Sequence, residues 1–409
     1  MAQQSDLLVG LDIGTTKICV VVGERTGPSE LAIVGVGHAP SAGLRRGVVI
    51  NIDSTTEAIR QAVREAEVMA GCEIERVYVG IAGGHIRSQN SHGAVPLKRR
   101  DIRAHDVGRV IDAARAIDVA DDREVLHILP QEYVVDDQDG IREPIGMHGS
   151  RLEARVHIVT STISSAENVI RCAQKAGLTV VDLVLEPLAS SEATCTADEK
   201  ELGVALLDIG GGTTDLAIWS DGSVVHTHVF ALGGDHLTND IALGLRTPSD
   251  EAERIKREHG CAMSALVAAE ETFELKGVGG RAERRIARQL LAEIIEPRLE
   301  EMLSLVRRQI ERSGYADLLV SGVVLTGGSS AIPGLLELAE DVLGLPVRLG
   351  VPERVGGLSK LVRKPSCAVG VGLVKFGLSQ VSYAHVHARE QSAFARVKHR
   401  VGRWLGDVF

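Results

Sequence analysis

Leu8-Val9-Gly10-Leu11-Asp12-Ile13-Gly14-Thr15-Thr16-Lys17-Ile18-Cys19-Val20-Val21 reads as an apolar strand ending in aspartate, a Gly/Thr turn, and a second apolar strand. Ala205-Leu206-Leu207-Asp208-Ile209-Gly210-Gly211-Gly212-Thr213-Thr214-Asp215-Leu216-Ala217-Ile218 repeats the pattern in the second half of the chain. Each copy is predicted to be a β-hairpin with a glycine-rich turn. A pattern written twice predicts a duplicated α/β fold with a cleft between its halves.

Two such turns facing each other can cradle a polyphosphate, because their backbone N–H groups are donors and glycine lets the chain come close. Thr15, Thr16, Thr213 and Thr214 would add hydroxyl donors, and Lys17 a positive charge. Asp12 and Asp208 each precede a turn, where a carboxylate can hold Mg²⁺ directly or through water. A third element, Val324-Leu325-Thr326-Gly327-Gly328-Ser329, is a strand running into a glycine turn before a helix. Its small residues would let a nucleoside lie flat on the backbone; a tight strand-to-helix connection without ligand is the alternative.

Between the hairpins, strand-like runs at Arg76–Ile81, Val125–Leu129, Glu132–Val135 and Arg155–Val159 alternate with helix-like segments Ala104–Ile117 and Ser165–Ala176. Further helices are expected over Asp235–His259 and Glu283–Arg312, the latter bent or interrupted at Pro297. The 409 residues carry a net charge of -10 and only 3% aromatics, which disfavours nucleic acid as a partner. Six cysteines, at 19, 72, 172, 195, 261 and 367, show no metal-ligand spacing and are expected as buried thiols. The N-terminal sequence lacks a signal-peptide pattern and no apolar run is long enough to span a bilayer, so a cytoplasmic location is expected.

The segment 379–391 reads as a polar linker and 392–409 as an amphipathic helix. At helical spacing Phe394, Val397, Val401, Trp404, Leu405 and Val408 share one face, while Arg396, His399, Arg400 and Arg403 lie opposite. An apolar stripe with a Trp and a basic polar face fits a helix lying in the interface of an anionic membrane. Gly402 and Gly406 weaken it by about 1 kcal/mol each relative to alanine, so one copy should bind weakly and several copies tightly. Arg281, Arg284, Arg285 and Arg288 read as one basic helical stripe opposite Ile286, Leu290 and Ile294, either a solvated face or contacts for a partner peptide.

The three phosphate and nucleoside elements, in this order, resemble the actin/Hsp70/sugar-kinase superfamily. The resemblance makes Leu185–Ser191 and Ser366–Gly372 the connecting helices. It implies that Glu186 orients the attacking water, with a capping role beside Pro187 as the alternative. Over essentially the whole chain the sequence resembles the FtsA family of bacterial cell-division proteins, through Leu11–Lys17, Gly83–Asn90, Leu126–Tyr133, Asp208–Asp215, Ala292–Arg298 and Val324–Gly328. That family implies an actin-like α/β fold around an ATP and Mg²⁺ cleft, with at most slow ATPase activity. By that resemblance subdomain 1A comprises 1–83, 163–200 and 365–378, and subdomain 1C is 84–162. Subdomain 2A comprises 201–235 and 301–364, and subdomain 2B is 236–300. Lys256 and Glu293 would flank the adenine and ribose beside Thr326, Gly327, Gly328 and Ser329. The implied partners are the C-terminal tail of the tubulin-like FtsZ, further copies of the chain, the membrane at the septum, and later division proteins. A sugar-type kinase and a pilus-assembly ATPase are the competing readings.

Overall fold

A computed structural model describes residues 7–27, 30–276 and 283–380. In chain order the first half contains β1 (Leu7–Ile13), β2 (Lys17–Arg25), β3 (Leu31–Pro40), a small hairpin of β4 (Leu44–Arg45) and β5 (Val48–Val49), α1 (Ile52–Ala70) and β6 (Arg76–Ile81). Then come β7 (Arg87–Asp101), α2 (Ala104–Arg115), β8 (Arg123–Val135), β9 (Gln138–Ile141), β10 (His148–Thr162), α3 (Ile163–Lys175), β11 (Thr179–Leu185), α4 (Glu186–Thr194) and α5 (Ala197–Leu202). The second half adds β12 (Val204–Ile209), β13 (Thr214–Ser220), β14 (Ser223–Phe230), α6 (Gly234–Leu245), α7 (Ser249–His259), β15 (Thr272–Leu275), β16 (Arg284–Ala287) and α8 (Arg288–Ser313). It continues through β17 (Val323–Thr326), α9 (Leu335–Leu343), β18 (Val347–Leu349), β19 (Gly356–Gly357) and α10 (Ser359–Val362), and a helix α11 over 368–380 ends the described chain.

The duplication seen in the sequence is a duplication of sheets. One sheet is ordered β11-β6-β1-β2-β3-β19 and the other β18-β17-β12-β13-β14. Each carries a three-strand antiparallel meander followed by two parallel strands, with β1 and β12 in the same central place. Strands so placed are buried on both faces, which is why they read as continuous apolar runs. Within β1, Val9, Leu11 and Ile13 join the core that includes α1 and α3, while Leu8 joins the core that includes α4 and α11. Ile59, Ala62, Val63 and Ala66 give α1 its buried stripe, between the N-cap Asn51 and a left-handed Gly71.

The insertion between β6 and α3 is a separate four-stranded antiparallel sheet, β7-β10-β8-β9, with α2 on one face. It leans on the second half through hydrogen bonds. Ser88 Oγ donates to Thr227 O, Asn90 Nδ2 to Val225 O, and the buried His157 ring bonds Asn90 Oδ1 and Thr227 Oγ1.

Four sequence expectations change. β8 is one continuous strand across Pro130, because irregular register against β10 at Arg155/Val156 removes the need for a ladder donor there. The segment 235–259 is two helices, broken where Arg246 takes a left-handed conformation before Pro248. α8 runs unbroken through Pro297; the carbonyl that proline leaves unpaired belongs to the exposed Glu293, where water can bond it. Residues 284–287 form a strand paired with β15, so the expected helical arginine stripe does not exist.

α4 touches strands of both sheets, and α11 crosses it at a distance only glycine allows. A Cβ on Gly372 would lie 1.7 Å from Ala189 O, and one on Gly10 2.5 Å from Gly370 O. Both obstacles are backbone atoms, so neither can step aside. Replacing Gly372 with alanine should therefore destabilise the protein by about 2–3 kcal/mol through overpacking. Urea denaturation of the variant measures this, and an unchanged midpoint would mean that the helices have room to separate.

Candidate functional site

The β1–β2 hairpin closes with Gly14 N–H donating to Lys17 O at 3.1 Å, and its twin with Gly210 N–H donating to Thr213 O at 2.9 Å. The two turns meet across the seam between the halves. A Cβ on Gly211 would lie 2.4 Å from Thr16 Cγ2, and one on Gly212 2.3 Å from Thr15 Oγ1. The third element arrives from β17. Gly327, in the left-handed region at φ 91°, brings its Cα so near β12 that a Cβ would be 2.4 Å from Asp208 Oδ1. Ser329 Oγ donates to Gly210 O at 3.0 Å, locking this element to the second turn.

Strand register gathers the acids. In β12–β13, Asp208 stands directly opposite Asp215; in β1–β2, Asp12 stands opposite Cys19. Glu186 opens α4 and points into the same volume, beside Gly80. Burial is the main cause that raises all four carboxyls, and neighbouring carboxylates raise Asp208, Asp215 and Glu186 further. Asp12 is pushed up to about 6 and Asp208 to about 7, while Glu186 and Asp215 rise well above the carboxylate range. Lys17 is the cation facing them, and Ser190 also steadies Asp208. One positive charge cannot offset four negative ones, so the cluster holds protons unless a cation replaces them.

Two carboxylate oxygens, Asp208 Oδ2 and Asp215 Oδ1, are buried with no hydrogen-bond partner. Unpaired buried oxygens of this kind fit a missing positive ligand. Among the described residues, no three of the acids bring their oxygens close enough to ligate one ion directly. The set therefore suits a hydrated divalent ion such as magnesium, which keeps several waters and needs only one or two carboxylates.

The expected donors divide. Thr15 Oγ1 accepts from Gly47 N–H, and Thr16 is exposed at the cleft. Thr213 donates to Asp215 and Thr214 to Leu232 O, so their hydroxyls are committed within the fold. Lys17 Nζ donates to Ser366 O, and Thr326 Oγ1 donates to Gly350 O and Pro365 O, which ties the turn 365–367 to both halves. Gly328 leads a short turn into α9. Lys256 is buried beneath the second turn, donating to Gly234 O and Thr238 Oγ1 and pairing with Glu253. Glu293 is exposed on α8 and makes no hydrogen bond or ion pair with the described residues.

Two contributors escaped the sequence reading. Asp215 closes the second motif, and strand alternation alone would have set it opposite Asp208. Gly234 and Asp235 start α6, with their N–H groups donating to Gly210 O and Gly211 O, so the positive end of α6 abuts the second turn.

The arginines expected as partner contacts do not share a face. Arg284 donates to Leu245 O, Arg288 donates to His259 O and pairs with Glu271, and Arg281 lies outside the described residues. Arg285 makes no hydrogen bond or ion pair with the described residues and lines an open groove with Arg254, His259, Phe273 and Lys276. The expected membrane helix, from Phe394 and Arg396 to Trp404 and Val408, also lies outside them. Among the described residues no helix is long and apolar enough to cross a membrane.

Comparison with known proteins agrees with this architecture. The profile described as "Cell division protein FtsA" matches residues 205–372, and that of an SHS2 domain inserted in FtsA matches 83–160. The chain is 48% identical over 413 residues to the cell-division protein FtsA of Pseudomonas aeruginosa, covering 100% of this chain and 99% of that protein. It is 39% identical to FtsA of Escherichia coli strain K12 over 411 residues, covering 99% and 97%. The chain belongs to the FtsA family of cell-division proteins. Its fold is actin-like, with the FtsA-type insertion. A PilM–PilN type IV pilus biogenesis complex aligns with TM-score 0.66 at 20% identity, covering 91% of this chain and 98% of that one. MreB5 of Spiroplasma citri bound to ADP aligns at 0.56 and 14% identity, covering 94% and 99%.

The acid cluster sets a test of sign. Asp12 and Asp208 hold protons in the folded state that they lose when unfolded, so their contribution to stability is complete below about pH 4 and disappears as pH rises through about 6 to 7. Asp208→Asn, which cannot ionise, should match the wild type near pH 4 and exceed it by about 1–3 kcal/mol near pH 8 in nucleotide-free protein. Thermal melts at both pH values decide this. A variant less stable than wild type at pH 8 would mean that Asp208 is already well paired.

Proposed function

We propose that this chain is an ATP-binding, self-assembling actin-like protein that tethers FtsZ filaments to the inner face of the cytoplasmic membrane and recruits later division proteins to the septum. The observation that carries the nucleotide part is the pair of opposed glycine turns flanking buried, partnerless carboxylate oxygens. Membership of a family whose curated relatives are named cell-division proteins carries the rest.

In this reading the turns 14–16 and 210–213 take the phosphates, with Thr15 and Thr16 as hydroxyl donors and the start of α6 adding its dipole. The nucleoside lies along Gly327, Gly328 and Ser329, near Lys256. Magnesium, when bound, offsets the phosphate charge, and Asp12 and Asp208 hold it through water. Glu186 orients a water from the first turn of α4. While burial, with its acidic neighbours, keeps it protonated it is a poor proton acceptor, so hydrolysis is slow at most. The turns touch in this conformation, so a phosphate chain between them requires the halves to rotate about the α4–α11 crossing. The pilus likeness carries the fold alone, since its identity is low.

The proposed anchor is the segment 392–409, with Phe394, Val397, Val401, Trp404, Leu405 and Val408 in the lipid and Arg396, Arg400 and Arg403 on headgroups. Full-length protein should co-sediment with anionic vesicles in the presence of ATP and Mg²⁺, and protein lacking 392–409 should stay in the supernatant. Sedimentation that survives the deletion would remove the tether.

For the FtsZ tail, Arg285 is the one of the three described arginines that makes no hydrogen bond or ion pair with the described residues, and its groove carries Arg254 and Lys276 as well as Glu274 and Glu283. Arg285→Glu should weaken binding of an FtsZ tail peptide by about 1–2 kcal/mol, whereas a solvated Arg at no interface would change it by less than about 0.5 kcal/mol. Fluorescence anisotropy of the labelled peptide separates the two results.

A further inference from the structure

We propose that Cys19, His38 and Cys367 form a binding site for a thiophilic divalent cation of the zinc class. Cys19 lies on β2, and His38 is its direct cross-strand partner on β3. Cys367 ends the short turn Pro365–Cys367 that leads into α11. The two sulfur atoms and a ring nitrogen of His38 all lie within 4.8 Å of one another. Tetrahedral zinc, with Zn–S near 2.3 Å and Zn–N near 2.0–2.1 Å, sets its ligands about 3.5–3.8 Å apart. Rotation of the side chains by an ångström or less would close that gap. Among the described residues this is the one set of three Cys, His, Asp or Glu side chains that converges so closely.

The surroundings suit such an ion. Both thiols are fully buried, while His38 is exposed, so the cation enters from the imidazole side and keeps a position open there for water. The inner part of the His38 ring is nonetheless shielded from water, and this desolvation, with Lys17 and Lys364 adding to it, pushes the ring down and leaves the neutral imidazole that ligates metals. A hydrogen bond from Cys19 holds the Cys367 thiol down to about 6, with the Lys17 amine adding to the effect, and the partner thiol of Cys19 is pushed up. One thiolate is therefore ready, and the metal would displace the second proton. The charged groups facing the site are Lys17, Lys364, Glu65 and Asp12. The two lysines repel a cation, but two thiolates and the two carboxylates outweigh them.

An ion here would fasten the β2–β3 pair to the turn whose Ser366 carbonyl holds Lys17, and thus to the edge of the phosphate cleft. Acid cluster and thiol cluster would then stand side by side, Asp12 on β1 and Cys19 on β2 being cross-strand partners.

The test is titration of reduced, metal-free full-length protein with Co²⁺. A single equivalent should give sulfur-to-cobalt charge-transfer absorption with tetrahedral d–d bands, removed by adding Zn²⁺. His38→Gln changes an exposed side chain and should preserve the thermal midpoint; it and Cys367→Ser should each weaken Co²⁺ affinity at least about tenfold. Cys72→Ser, remote from the cluster, should leave the titration unchanged. No thiolate band in the wild type, or a band that persists at full strength in Cys367→Ser and His38→Gln, overturns the proposal.

Discussion

Four carboxyl groups enclosed with a single lysine are the constraint on which the rest of the molecule depends. Asp12 comes from one sheet, Asp208 and Asp215 from its duplicate, and Glu186 from the helix that touches both. Charges buried without partners cost several kcal/mol each, and apolar residues of the same size would give a more stable seam. Such strain at a seam is the mark of a site where stability is given up for binding. The free chain relieves it with protons, which a bound cation, in the proposed reading, would replace. That exchange is why the same acids that weaken the empty protein can make a liganded one firm.

The duplicated sheets explain how two halves can offer matching turns. Each sheet places its motif strand at the centre, flanked by a hairpin partner on one side and a parallel strand on the other. Both motif turns therefore emerge at the same end of their sheets. Glycine then does a separate task at each approach: Gly211 and Gly212 let the turns meet, Gly327 lets the third element reach Asp208, and Gly372 lets α11 cross α4. At two of these places, Gly327 and Gly372, the obstacle to a side chain includes backbone or a buried carboxylate, so at the α4–α11 crossing the halves have little freedom to slide. Rotation is the motion left to them.

Local chemistry was legible in the sequence; long-range pairing was not. The two hairpins and the third glycine turn could be read because an aspartate, small turn residues and flanking apolar runs are all adjacent in sequence. Residues 284–288 were misread because Arg284 and Arg288, four apart, share a face of a helix and of a strand equally well over so short a run. Pairing with Thr272–Leu275, across the segment 277–282, decides the matter, and no local signal reports it. Pro297 misled for the opposite reason: its local rule is sound, but the freed carbonyl faces water. Thr214 looked like a cleft donor by motif, whereas its hydroxyl satisfies Leu232 O. Cys19, His38 and Cys367 had no spacing to find, since their three segments meet only in the folded sheet.

The closeness of the acid cluster to the helix crossing links ligand and shape. In the proposed reading, binding alters the charge on Asp12, Asp208 and Glu186 together, so both sheets and α4 feel one event. Because the α4–α11 contact is backbone on backbone, the change cannot be absorbed by side-chain repacking and is passed on as rotation of one half against the other. A rotation of whole halves moves every surface by which copies could stack. In that reading assembly is the quantity that the nucleotide controls, and the proposed anchor segment 392–409 becomes effective only in proportion to the copies held side by side. A stronger helix would tether single molecules regardless of the cleft, and the coupling would be lost. Weakness of the anchor is, on this argument, a requirement of the design.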